Sequence, residues 1–479
     1  MVKKGSVILI IVLITAFIAS YMTTGSPANV RVIITRLPAE NSMDLFDSIT
    51  NKENFQNAQI ISIDPSDPKN TLRVLTEEFI SAVSPELSYD NQKLVFAGKR
   101  DEGDIWQIWM LDFESQKTTK ITESNRGCFD PVFLPDQRII FSCYEGDSER
   151  DDIIALYRAD PAGKNISPVT FHPHANYLSS ILHDGRIMFA SEQVYPEKEN
   201  AKLLALRPDG TNAGLFFELP EKYQIISKAR ENASRQVFFT ASESQNDENS
   251  VVFRFSYNDP FESLDTLYSS LTGTFHSVYP DSEGDLVVSY RSSNSELFGI
   301  YRFEDGVDKP VPVYTDGEFH LLEPVLAGDK PFIPKQLPTA LNFDMDTGIV
   351  VFLEAEESLK KSNQTGTNTI QILGTEGLIK EFPAADDGSF YIQSVAKTPI
   401  RYRLVDRSGI TIRGPSPWFW VMPGERRGFT GWDEKQLITP VNRVPDAINQ
   451  KPVEILVPGS SIAEKSEYGN NESEAVNED

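Results

Sequence analysis

Two histidines separated by one proline, His172 and His174, are the nearest approach to a metal-ligand pair in this sequence. Proline holds its neighbours extended, and alternate residues of an extended segment point to one side, so two imidazoles would converge there. No third ligand stands at a zinc-like spacing, and the pair reads as loop chemistry. Asp344, Asp346 and Gly348 resemble a fragment of a calcium loop but lack the third oxygen ligand and the distal Glu, so they read as a turn. His183 in His183-Asp184-Gly185 and the run Asp386-Asp387-Gly388 are turn signals as well. A serine nucleophile needs a Gly-x-Ser-x-Gly elbow. Gly388-Ser389-Phe390 and Gly414-Pro415-Ser416 both lack the second glycine. Only Cys128 and Cys143 carry thiols, which excludes four-thiolate metal sites and clusters. The expectation is therefore no catalytic residue, no metal and no cofactor. Arg401, Arg403, Arg407, Arg413, Arg426 and Arg427 fall within 27 residues. Alternation puts Arg401 and Arg403 on one strand face. The cluster reads first as a solvated face, and second as an anion or acidic-partner patch built on Arg401, Arg403, Arg413, Arg426 and Arg427. Trp418 and Trp420 also share a face, as core or as a seam between domains.

The elements that would carry these residues repeat. A polar turn followed by a β-branched or aromatic run recurs as KLVF from Lys93, RIIF from Arg138, RIMF from Arg186, QVFF from Gln236 and DLVV from Asp285, at spacings of 45, 48, 50 and 49 residues. That period, filled with short strands and lacking long helical periodicity, predicts four-stranded propeller blades. His172 and His174 would then sit in a loop lining the propeller mouth. Val30 to Arg36, Gln59 to Asp64 and Leu72 to Thr76 read as three strands of a further blade without its first. Glu323-Pro324-Val325 repeats the first-strand motif Asp130-Pro131-Val132, so a strand near 321–327 is expected to return and close the ring. The predicted fold is all-β: a six-bladed β-propeller over 30–330, a linker over 331–340 and a small β-sandwich over 341–435. With a hairpin turn at Pro135 and Asp136, Cys128 and Cys143 face each other, either as a cross-strand disulfide or as two small buried thiols.

At the N-terminus, Lys3 and Lys4 precede an apolar run from Val7 to Met22, so residues 1–29 read as an export signal or an anchor, with an uncleaved anchor over 7–22 favoured. Residues 436–479 read as an extended acidic tail, disordered at its end. The 479-residue chain carries 70 acidic against 45 basic side chains, a formal charge of -25. Such a field repels phosphate backbones and excludes nucleic acid as a partner.

The blades resemble those of TolB-type propellers. The stretch from Ala384 to Gly428, ending in PGERRG, is similar to the region that precedes a c-type haem site in relatives of the hydrazine synthase alpha subunit. That resemblance implies an exported propeller joined to a sandwich domain. It also implies Cys-x-x-Cys-His directly after PGERRG. Here those positions hold Phe429, Trp432 and Asp433, while the Glu that follows the motif is kept as Glu434. Thioether attachment needs two thiols and an imidazole, and none stands there. The expected function is an exported, non-catalytic propeller of the cell envelope, periplasmic or anchored in the inner membrane, presenting its mouth or second domain to a partner protein or ligand. The alternative is an accessory subunit of a periplasmic redox complex.

Overall fold

The recurring strands hydrogen-bond in chain order into four-stranded antiparallel sheets, and hardly any chain is helical. The computed structural model describes residues 31–41, 54–146, 153–193, 202–243, 246–282, 284–328, 333–353, 369–406, 408–429 and 444–456. The expected anchor over 1–29, the end of the acidic tail, and Trp432 with Asp433 lie outside these residues.

The first sheet joins Phe319–Ala327 to Arg31–Pro38, Gln59–Ile63 and Arg73–Val74. The returning strand pairs antiparallel with the first, from Arg31 opposite Ala327 to Pro38 opposite Phe319. The second sheet runs Ser81–Leu87, Lys93–Lys99, Gln107–Asp112 and Lys117–Lys120. The third runs Cys128–Phe133, Ile139–Tyr144, Ile154–Ala159 and Ser167–Pro168. The fourth runs Asn176–Ile181, Ile187–Ser191, Lys202–Leu206 and Gly214–Glu218. In the fifth, Tyr223–Ile225 and Arg230–Glu231 both pair with Gln236–Glu243, followed by Asn246–Ser256 and Asp265–Leu267. The sixth runs Thr274–Pro280, Leu286–Arg291, Gly299–Phe303 and Val311–Tyr314. Innermost strands meet their neighbours in cyclic order, the second sheet touching the returning strand, so the array is a closed β-propeller.

Burial follows position in each sheet. The inner strand Ser81–Leu87 is buried at every residue, whereas the outer strand Lys117–Lys120 is half-buried or exposed. Inner strands are therefore buried along their length even where they carry Glu86 or Asp130, and the rim tolerates Lys and Thr. Most inner strands also carry a bulge: between Val83 and Glu86, Phe129 and Val132, Tyr177 and Ser180, and Phe275 and Ser277. Ser84, Asp130, Leu178 and Glu323 there adopt positive φ of 51–54°, an unusual conformation for residues other than glycine.

The third sheet's bulge corrects the cysteine register. The turn centres on Asp136, since Val132 faces Ile140 and Phe133 faces Ile139. The extra residue at Asp130–Pro131 then shifts the pairing by one and brings Cys128 opposite Cys143, where they form a disulfide.

After residues 333–340, two further sheets share one apolar cluster that includes Phe352, Ile372, Phe390, Ile392, Tyr402 and Phe419. One places Thr347–Phe352 beside Phe390–Val395, flanked by Arg426–Phe429 and Val453–Ile455, each running parallel to its neighbour. The other runs Gly377–Pro383, Thr369–Gly374, Arg401–Val405 and Thr411–Arg413. Two expectations change here. Trp418 to Val421 is no strand; it makes a single bridge, Ile400 to Phe419, because Pro415 and Pro417 remove donors from the run into it. The chain past residue 435 is not wholly an extended tail, because Val453–Ile455 returns as an edge strand.

Candidate functional site

The bulged residues converge on the channel, where they bond from sheet to sheet. Ser277 Oγ accepts from Glu323 N at 3.0 Å. Glu323 Oε2 accepts from Ser84 N and from Thr35 Oγ1, both at 2.7 Å. Ser84 Oγ lies 3.0 Å from Asp130 Oδ1 and 3.2 Å from Glu323 Oε1. Asp130 Oδ2 accepts from Leu178 N at 3.2 Å. The positive φ at Ser84 and Leu178 accompanies amides that a neighbouring sheet's carboxylate accepts. These bonds form a collar running from the sixth sheet through the first, second and third to the fourth. At the fifth sheet the inner strand is interrupted, and Lys228 reaches across to donate from Nζ to Pro131 O at 2.8 Å.

A cavity of about 50 Å³ lies at this level, lined by Ser84, Asp130, Lys228 and Glu323 among others. Burial drives the Lys228 ammonium pKa down, while Glu86, Asp130 and Glu323 oppose that shift. Two residues further along the strands, Arg230 bonds Glu86 at 2.7 Å and lies over the Tyr279 ring at 4.7 Å. Burial raises the nearby Tyr89 hydroxyl well above its ordinary value. At that end Glu231 is pushed up to about 7 by burial, although His183 N donates to it at 2.7 Å. The linker passes over this end: Pro334 lines the mouth, and Lys335 N donates to His183 O.

None of these channel groups emerged from the sequence as site residues. The signal was present in the Asp-Pro-Val and Glu-Pro-Val pair, which served to place a strand but not to flag its acids.

A seam joins the fourth sheet to the second unit. Trp420 Nε1 donates to Gly210 O at 3.0 Å, Gln193 Nε2 to Trp418 O at 2.6 Å, and Asn212 N to Glu425 Oε1 at 2.8 Å. Glu425 also accepts from Met422 N at 2.8 Å, and burial raises its pKa. Arg427 Nη2 donates to Ala213 O. Asp209 holds the end of the linker by accepting from Ala340 N at 2.7 Å. His172 and His174 lie here rather than at the mouth. Their rings are 5.8 Å apart, and His172 is 5.8 Å from Trp420. Burial pushes His172 down to about 3, so it is neutral. Among the described residues, no group of three or more His, Cys, Asp or Glu is placed to hold a metal.

The structure separates the sequence's arginine cluster. Arg401 and Arg403 project from one face of the same strand, with Arg401 over the Trp418 ring at 4.6 Å. Arg413 lies on the neighbouring strand, opposite Leu404. Arg426 and Arg427 belong to the other sheet, where Arg427 packs on Phe429 at 4.0 Å. Phe429 stacks on Phe352 at 4.8 Å and meets Phe419 edge-on at 5.5 Å. A thioether-linked haem does not fit these residues: an aromatic side chain packed into the cluster stands at 429, and the chain's two thiols are joined to each other in the propeller.

Comparison with known proteins agrees with this arrangement. Residues 349–434 match the family described as hydrazine synthase alpha subunit middle domain. Hydrazine synthase subunit alpha of Kuenenia stuttgartiensis is 24% identical over an alignment covering 48% of this chain and 36% of that subunit. The match thus spans little more than a third of the relative's length. The solved Kuenenia stuttgartiensis hydrazine synthase superposes with a TM-score of 0.75 at 16% identity, over 88% of this chain and 71% of that one. TolB from Acinetobacter baumannii gives 0.46 at 15% identity, over 65% and 68%. A closed propeller, a second β unit docked on its fourth sheet and the match over 349–434 together make this chain a β-propeller protein that resembles the hydrazine synthase alpha subunit.

Proposed function

We propose that the chain is an exported, non-catalytic propeller of the cell envelope that binds a partner. In this reading the six sheets are the six blades over 30–330, and 341–435, extended by Val453–Ile455, is a small β-sandwich. The observation that carries it is the collar. The channel's carboxylates are held by backbone amides and hydroxyls of adjacent sheets, which suits a rigid scaffold better than acid–base chemistry. The disulfide agrees with an oxidising compartment. Among the described residues no helix is long and apolar enough to cross a membrane, so the proposed anchor rests on residues 7–22 of the sequence.

A second reading, an accessory subunit of a periplasmic redox complex, is favoured by the family match over 349–434. Pyridine haemochrome spectra of the purified chain, with crosslinking and mass spectrometry in native envelopes, separate the two. A colourless protein crosslinked reproducibly to one envelope protein supports the scaffold. Bound haem, or crosslinks to a multihaem cytochrome, would replace it with the redox reading.

A further inference from the structure

Many propeller arginines face carboxylates, although Arg36 and Arg158 bond the Gln59 amide and the Pro208 carbonyl instead. Arg138, Arg230, Arg254 and Arg302, among others, each lie within 4.0 Å of an Asp or Glu oxygen. Arg401 and Arg403 do not. Among the described residues neither has an acidic side chain within that distance, in a chain with 25 more acids than bases. They are two residues apart on one strand face, opposite the face that packs Tyr402 and Leu404 into the core. Partial burial, and after it the Arg403 charge, lowers the Arg401 pKa. Two adjacent guanidinium groups without a facing carboxylate repel each other, and only a negative group brought from outside would turn that cost into attraction.

The remaining contacts orient the pair. The Arg401 guanidinium lies over the Trp418 ring at 4.6 Å, and the Trp418 backbone oxygen is already bonded to Gln193 of the propeller. Its Nε is buried and has no hydrogen-bond partner. Arg403 donates from Nε to Gln371 Oε1 at 2.7 Å, and Gln371 passes the connection to Glu381 at 3.0 Å, which fixes the guanidinium and keeps that acid two strands away. His174 borders the Arg401 side; burial first, then the Arg401 charge, lowers its pKa.

We propose that Arg401 and Arg403 form an oxyanion-binding site beside the domain seam, with Trp418 as its floor. A guanidinium fork held against an aromatic face is pre-set for two parallel bonds to a carboxylate or phosphate. The ligand chemistry is the oxyanion itself, supplied either by a free small anion or by glutamate side chains of a partner. This deepens the binding-protein reading by naming the chemistry of one contact, and it rests on that reading only for the partner-supplied source.

The test is calorimetric titration of the full chain at matched ionic strength, with inorganic phosphate in one arm and an end-capped tri-glutamate peptide in the other. Saturable binding in the phosphate arm identifies a free anion as the source; binding confined to the peptide arm identifies a partner's acids. In either case Arg401→Lys and Arg403→Gln weaken binding about tenfold or more, the loss of one charge-assisted contact. Arg426→Gln, on the other sheet, leaves it unchanged. Should Arg401→Lys fail to fold by circular dichroism, Arg403→Lys takes its place. Absence of saturation in both arms up to about 10 mM overturns the site. So does wild-type affinity in the lysine variants, which would reduce the pair to diffuse positive charge. Failure of these titrations leaves crosslinking to an envelope partner through another surface intact.

Discussion

Replacing Glu323 by alanine tests the collar where it matters most, on the strand that closes the ring. The change removes the acceptor for Thr35 Oγ1 and Ser84 N, both at 2.7 Å, and for Ser84 Oγ at 3.2 Å. Bonds to a charged acceptor each contribute roughly 1.5–3 kcal/mol, and a buried amide left unpaired costs about 1–3 kcal/mol. Allowing for overlap between these terms, the expected loss is about 3–5 kcal/mol, a thermal shift on the order of 10 °C for a unit of this size. Glu323→Gln keeps one carbonyl oxygen and should lose about half as much. Ser84→Gly removes the hydroxyl but relieves the positive φ, so its net cost should stay below about 1 kcal/mol. Urea unfolding followed by tryptophan fluorescence reads these values, and a Glu323→Ala, Thr35→Val cycle reads their coupling. If Glu323→Ala unfolds within about 0.5 kcal/mol of the parent, or the cycle shows no coupling, the collar does not hold the ring and the argument from it fails.

Three further outcomes follow from the same geometry. Reduction of Cys128–Cys143 should destabilise the propeller by about 3 kcal/mol on the chain-entropy account of a 15-residue loop, read as a lower urea midpoint in dithiothreitol that Cys143→Ser reproduces without reductant. His172 is lowered from 6.5 to about 3 in the fold, so the unfolded chain takes up its proton first. Stability is then complete above pH 6.5 and falls as pH drops toward 3, by about 2 kcal/mol between pH 6.5 and 4.5; His172→Gln should flatten that part of the pH profile. Glu425→Ala should free Asn212 N and Met422 N and loosen the seam, measured as faster limited proteolysis between propeller and second unit with the propeller itself still resistant.

The period of 45 to 50 residues made the propeller sheets legible, because each repeat needs the same polar turn before the same buried hairpin. Glu323-Pro324-Val325 made the ring closure legible for the same reason. What stayed hidden has a common physical origin: it depends on pairing between distant segments. Ser84 and Asp130 are ordinary polar residues until bulges in adjacent sheets set them 3.0 Å apart. The parallel edge strands Arg426–Phe429 and Val453–Ile455 carry too few residues for alternation to register, and their partners lie more than 55 residues upstream. The facing cysteines show the limit from the other side. Cys128 and Cys143 face each other because a one-residue bulge offsets a turn that centres half a residue later than Pro135-Asp136 implies.

The arginines sharpen the relation between likeness and chemistry. The stretch that resembles the haem-bearing family contains two kinds of residue. Trp420, Glu425 and Arg427 bond the fourth sheet of the propeller, and that geometry requires them whether or not a cofactor is attached. Phe429, by contrast, stands where attachment would begin, and its ring packs between Phe352 and Phe419. A docked module can thus keep its seam while the chemistry beyond the seam differs, since docking draws on the face toward the propeller and the core draws on Phe429. Arg401 and Arg403 belong to neither set, because they contribute nothing to the core and bond nothing on the propeller. Among the described residues they stand two positions apart on one strand face with no acid within 4.0 Å, which is why recognition of an outside oxyanion is where this molecule's binding should be sought first.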